Sequence, residues 1–142
     1  MRKEWQLVAF GFLALVAVEI GFQINELLER HALWKQSRDY CRKVNKALLR
    51  IGMRRSFLEP PNGDVTLDID EEVKTIPGGV CGDERNMPFV SKEFGVCFNE
   101  HTLEHLHSAG DVEKAIQECV RVADVTILLT PSPHSLYASL FC

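Results

Sequence analysis

Three consecutive segments decide the fold: FGVCFN (94–99), HTLEHLHSAGDVEKAIQECVRVA (101–123) and DVTILLT (124–130). The first and last are short apolar runs, partly β-branched and without alternation, the pattern of strands buried on both faces. Between them Val112, Ala115, Ile116, Cys119 and Val120 recur at 3, 4, 7 and 8 residues, which predicts a helix with one core-facing stripe. Asp111 is the expected N-cap, with Lys114 and Arg121 further along the helix. Strand, helix and strand in this order point to a parallel α/β sheet.

Upstream, ALLRIGM (47–53), DVTLDID (64–70) and GVCGD (79–83) are further apolar runs of strand length, giving a mostly parallel sheet of about five strands with flanking helices. Asn62-Gly63 and Pro77-Gly78-Gly79 are turn signals ahead of the second and third strands. A full helix hardly fits between the first two strands, because Pro60-Pro61 closes that interval.

In such a sheet, ligands sit beyond the carboxyl ends of the strands. Those ends are chemically loaded here: Asp68 and Asp70 after strand two, Asp83 after strand three, Asn99-Glu100-His101 after strand four and Thr130-Pro131-Ser132-Pro133 after strand five. A carboxylate closing the second strand is placed to accept from two ribose hydroxyls, and an ionised carboxylate, being acceptor-only, suits a diol or an exocyclic amine. The plainer reading makes Asp68 and Asp83 turn or cap residues; their place at the ends of successive strands favours a site.

With these residues in view, the sequence resembles class I S-adenosylmethionine-dependent methyltransferases of the type 11 kind. VTLDID is similar to the family's second strand with its ribose-binding acid, which falls on Asp68. GDERNMPFVSKEFGVCF is similar to its G-D-x-x-x-L-P-F stretch, whose Asp meets the adenine amino group and falls on Asp83. NEHTLEHL, the helix and DVTILLTPSP are similar to its fourth strand, helix and fifth strand. The resemblance covers about residues 47–135. It implies a Rossmann-like fold and S-adenosyl-L-methionine as cofactor, held by Ile51, Gly52, Met53, Asp68, Ile69, Asp83, Glu84 and Asn99. Three departures accompany it. The family's glycine-rich turn is reduced to Gly52 within LLRIGMRRSFLEPPNGD, Gly95 stands where the family has an Asp, and the last two strands of the family have no counterpart.

Methyl transfer from a sulfonium needs alignment more than acid–base machinery, and a base helps only where the acceptor has a proton to lose. His101, Glu100 and His134 are the candidates, His101 first, each weighed against an ordinary surface or helix-start role. His101-Thr102-Leu103-Glu104-His105 also fits H-x-x-E-H, an inverted zinc-peptidase pattern. Two histidines four apart share a helical face. Gly110 follows closely, however, and no third ligand is evident, so no metal is expected. No G-K-[ST] phosphate loop or G-x-S-x-G elbow is present.

Residues 5–24, WQLVAFGFLALVAVEIGFQI, carry one formal charge, Glu19. A helix of that length rises about 30 Å, the thickness of a bilayer core. A membrane anchor is the expectation, with a signal peptide and a buried or oligomerising helix as alternatives. Arg30, Lys35, Arg38, Arg42 and Lys43 outnumber Arg2 and Lys3 across the span, which places the C-terminal side in the cytoplasm. Residues 25–45 continue as an amphipathic helix, either a solvated connector stalk or a helix packing on the domain that follows or on a partner. The expected organisation is therefore an anchor at 1–24, a connector at 25–45 and a Rossmann-like domain at 46–142 lacking the family's last strands.

Composition bounds the partners. The 142 residues include 16 Lys and Arg against 20 Asp and Glu, a net charge of -4, which argues against nucleic acid. Five dispersed cysteines without a CxxC pair argue against structural zinc and fit a reducing compartment. Two functions remain: a membrane-anchored methyltransferase acting on a small-molecule or lipid-linked acceptor, and a catalytically inactive relative serving as a membrane-tethered binding module. The sequence leaves the oligomeric state open.

Overall fold

The computed structural model describes residues 2–130. They run α1 (Arg2–Val44), β1 (Leu48–Ile51), β2 (Val65–Asp68), β3 (Gly79–Cys81), β4 (Phe94–Glu100), α2 (Ala109–Val122) and β5 (Ala123–Leu129), with 3-10 turns at Glu71–Thr75 and Leu103–His105. Residues 2–29 and 30–130 fall into two compact units.

In the larger unit five parallel strands lie in the order β3-β2-β1-β4-β5. β1 pairs on one side with β2 (Leu49 opposite Val65) and on the other with β4 (Ile51 opposite Asn99). The chain thus turns in opposite directions from the two central strands, and the β1/β4 gap is the switch point where α/β sheets form their crevice. The fold is the Rossmann-like sheet expected from the sequence.

Every residue of β1 and β4 is buried, because the sheet is covered on both faces. Leu49, Ile51, Leu67, Met87, Phe94 and Cys97 pack with Cys119 and Val122 of α2. Leu48, Val96 and Phe98 pack with Trp34 and Cys41 from the later part of α1. Residues 30–44 therefore cover the sheet rather than form a solvated stalk. Gly95 makes that approach possible: a Cβ there would lie 2.9 Å from Cys41 Sγ and 3.3 Å from Cys41 Cα. Asn45, in the left-handed region at φ 54°, ends α1, a conformation Asn tolerates at a helix terminus.

Two details of α2 differ from expectation. Ser108, not Asp111, is the N-cap: its Oγ accepts from Asp111 N at 3.1 Å, and Asp111 sits in the first turn. Ala115, Cys119 and Val122 form the buried stripe, while Val120 is exposed, because the helix meets the sheet on a slightly rotated face. No helix joins β1 to β2, as Pro60-Pro61 requires.

In the smaller unit, apolar side chains project outward all round α1, from Val8, Phe10 and Phe12 to Ile24 and Leu28. An 18-residue window there has mean hydropathy 1.8 and none of it is buried. By length and composition the helix is sufficient to cross a membrane or to serve as a signal sequence.

Candidate functional site

At the carboxyl end of β1 the chain enters the left-handed region at Gly52, φ 85°, which glycine adopts without steric cost. Gly52 N donates to Leu67 O at 2.8 Å, and Arg50 Nε donates to Gly52 O at 2.9 Å. A Cβ on Gly52 would meet Thr102 Cγ2 at 3.0 Å, so the glycine admits the loop after β4 close to the loop after β1. Ile51 points into the core, and Met53 is buried.

Asp68 organises this end of the sheet. Its Oδ2 accepts from Met53 N at 2.7 Å and its Oδ1 from Asp70 N at 2.9 Å. Its side chain is 13% exposed, whereas Ile69 next to it stands 74% exposed. Gly52, Met53 and Asp68 are thus brought together by main-chain geometry. Asp83 is held by the Arg85 guanidinium, whose Nη2 lies 2.6 Å from Oδ2, and this keeps the Asp83 carboxyl below its ordinary range. Arg85 in turn reaches Asp111 at 3.2 Å.

A second group sits beside Gly52. Asn99, fully buried, donates from Nδ2 to Glu84 Oε2 at 2.8 Å. Thr102 Oγ1 lies 2.8 Å from the same oxygen and 2.7 Å from Asn99 Oδ1. Burial pushes the Glu84 carboxyl above its ordinary value, against the lowering effect of the Thr102 and Asn99 hydrogen bonds. Sequence reasoning placed Glu84 and Asn99 at this end of the sheet but missed Thr102, which joins them.

His101 lies apart from both groups. Its φ of 54° turns the chain after β4, and its Nδ1 faces Glu104 Oε1 at 3.3 Å. Only Leu103–His105 is helical here, as a three-residue 3-10 turn, so His101 and His105 do not share a helical face. Among the described residues no three His, Cys, Asp or Glu side chains form a metal-holding group. His134 lies outside the described residues.

Glu100 belongs to a buried ion network unforeseen in the sequence. Arg50 Nη2 reaches Glu100 Oε2 at 3.3 Å and Glu59 Oε2 at 2.9 Å, and Arg30 Nη1 reaches Glu100 Oε1 at 2.9 Å. Arg50 Nη1 also donates to the Pro60 and Pro61 carbonyls. Burial draws the Arg50 pKa down, opposed by the two carboxylates. The network pins the β1–β2 loop and α1 to the central strands. One signal was available: an arginine inside the apolar run LLRI demands a buried anionic partner.

The parallel sheet with its central switch point and the acids at its strand ends make this a Rossmann-like α/β architecture. Residues 64–125 match a family described as methyltransferase domain, in keeping with the class I S-adenosylmethionine-dependent methyltransferases. That stretch runs from the residue before β2 into β5 and carries Asp68, Asp83, Glu84 and Asn99. Comparison with curated proteins gives no match.

Proposed function

We propose that this chain is a membrane-anchored methyltransferase that holds S-adenosyl-L-methionine at the carboxyl ends of β1, β2 and β4. The observation that carries the reading is Asp68. It is an acceptor-only group at the end of β2, placed by two main-chain N–H bonds, with its side chain 13% exposed. A carboxylate offers about four lone-pair directions, so two remain for a ribose diol. Asp83 supplies a polar group at the neighbouring strand end and exposed Ile69 an apolar surface for a base, while buried Asn99 holds Glu84 and Thr102 in place behind them. These residues fit the cofactor's nucleoside half. The methionine half would lie along the Gly52-Met53 turn, with Ile51 contributing only main chain, its side chain being buried.

When bound, the cofactor supplies an electrophilic methyl group on sulfur. The chain's own part is to hold and orient, which the rigid Asp68–Met53 and Glu84–Asn99–Thr102 groups suit. His101, in the turn after β4, is the candidate base for an acceptor with a proton to lose. The apolar helix favours acceptors found at a membrane, lipid-linked ones included.

The Asp83–Arg85 ion pair and the lack of room for a side chain between Gly52 and Thr102 favour a second reading, an inactive scaffold of the same fold. Calorimetric titration of the full chain in detergent micelles with S-adenosylmethionine and S-adenosylhomocysteine separates the two. The methyltransferase reading expects binding that weakens about 10- to 100-fold in Asp68→Ala, the worth of hydrogen bonds to a charged group. Asp68→Asn, which keeps an acceptor for Met53 N but sets its amide nitrogen against Asp70 N–H, should lose less affinity, with a small drop in thermal midpoint. Equal affinity in all three proteins removes Asp68 from the site, and no binding by a folded chain favours the scaffold.

A further inference from the structure

The loop after β1 carries a side chain aimed at the proposed ribose acceptor. Arg55 Nη2 lies 3.6 Å from Asp68 Oδ2 and 3.2 Å from Asp70 Oδ2, and its Nη1 lies 3.2 Å from Glu72 Oε2. Its main-chain N–H donates to Glu59 Oε2 at 3.2 Å, and Glu59 is itself held by buried Arg50, so the backbone under Arg55 is fixed. Neighbouring Arg54 is committed elsewhere, to the carbonyls of Ser56 and Phe57 in its own loop. Asp68 spends one lone pair of each oxygen on Met53 N and Asp70 N. At 3.6 Å from Oδ2 the Arg55 guanidinium is close enough to compete with a hydroxyl donated to that oxygen.

We infer that Arg55 is a displaceable latch on Asp68, one that a ribose diol must push aside to bind. The inference rests on the reading that Asp68 accepts from the ribose. The geometry makes the latch easy to open. The Arg55 side chain is 49% exposed, so its ion pairs are solvated and screened. The contact with Asp68 is the longest of its three, so the guanidinium retains Asp70 and Glu72 while vacating Asp68. Arg55 is thus a positioning residue that sets how readily the site accepts its ligand and makes that readiness depend on ionic strength.

The test uses adenosine, which carries the diol but no charge, so that removing a cation does not by itself favour the ligand as it would for a sulfonium. Adenosine and 2′-deoxyadenosine are titrated by calorimetry into the full chain in detergent micelles, as wild type, Arg55→Gln, Arg55→Lys and Asp68→Ala. Arg55→Gln should bind adenosine about two- to fivefold more tightly than wild type, the scale of a solvated ion pair. Arg55→Lys should stay near wild type. The gain should shrink between about 0.05 M and about 0.5 M salt and be absent for 2′-deoxyadenosine, which lacks one of the competing hydroxyls. Equal or weaker adenosine binding by Arg55→Gln, with Asp68→Ala still impaired, overturns the latch and leaves the ribose reading standing. An equal gain for both nucleosides also overturns it. Failure of wild type and Arg55→Gln alike to bind adenosine overturns both the latch and the reading beneath it.

Discussion

Adjacent acids at the end of β3 are driven in opposite directions. Asp83, under the Arg85 guanidinium, is held low, whereas burial raises Glu84 above its ordinary 4.5. Burial favours the proton on Glu84 although the Thr102 and Asn99 hydrogen bonds favour the carboxylate. Thr102 Oγ1 lies within 2.8 Å of Glu84 Oε2 and 2.7 Å of Asn99 Oδ1, yet a hydroxyl has one proton for two acceptors. With Glu84 protonated the ring closes: Glu84 donates to Thr102, Thr102 to Asn99 Oδ1, and Asn99 Nδ2 to Glu84. A raised folded-state pKa contributes stability below the unfolded value that is lost as pH climbs through the folded one. Glu84→Gln removes that loss. Its thermal midpoint should therefore gain on wild type as pH rises from about 4 to about 8, read by differential scanning calorimetry. A gap that is constant over this range would show that Glu84 does not titrate within it. Asp64, Asp83 and Asp111, all held low, act on the acid side in both proteins.

At the scale of elements, the larger unit depends on how residues 30–44 meet the sheet. Trp34 packs edge-on against Phe98 with ring centroids 5.0 Å apart, and the Arg38 guanidinium lies 5.7 Å from the Trp34 ring centre. Trp34 is only 7% exposed, so Trp34→Ala should cost about 3–5 kcal/mol, measured by urea unfolding of the full chain in micelles. A loss below about 1 kcal/mol, the range of ordinary surface changes, would mean that this helix does not cover β4. β1 and β4 were legible because doubly covered strands demand unbroken apolar runs, and α2 because a singly covered helix demands a periodic stripe; β5, expected to be buried on both faces, is instead an edge strand with Val125 and Leu128 exposed. The N-cap of α2 was misread because Ser108 and Asp111 are both cap-forming residues three apart, and sequence alone does not rank them. Asp68 and Asp83 stood out because they close strands. Arg50 with Glu100 and Thr102 with Glu84 did not, because pairs 50 and 18 residues apart in the chain become neighbours only once β1, β4 and the loop after β3 are laid side by side.

For the molecule as a whole, an apolar helix and a charge-rich α/β unit divide the chain's chemistry. The smaller unit exposes large side chains such as Phe10, Phe12, Leu13 and Leu15, an all-round apolar surface that water does not tolerate cheaply. The larger unit carries two buried clusters and the candidate site within residues 30–130. If the helix is an anchor, membrane association depends on residues before 25 and ligand binding does not. Deleting residues 1–24 should therefore abolish co-flotation with phospholipid vesicles while leaving the circular dichroism of the remaining chain folded and its nucleoside affinity unchanged. A shortened chain that still floats would assign membrane contact to the larger unit. Full-length protein recovered from cells with residues 1–24 already removed, read by intact mass, would make the segment a signal peptide instead. Retention at full mass in the membrane fraction, reversed by the deletion, is the outcome that the exposed apolar side chains of α1 predict, from Val8 and Phe10 to Ile24.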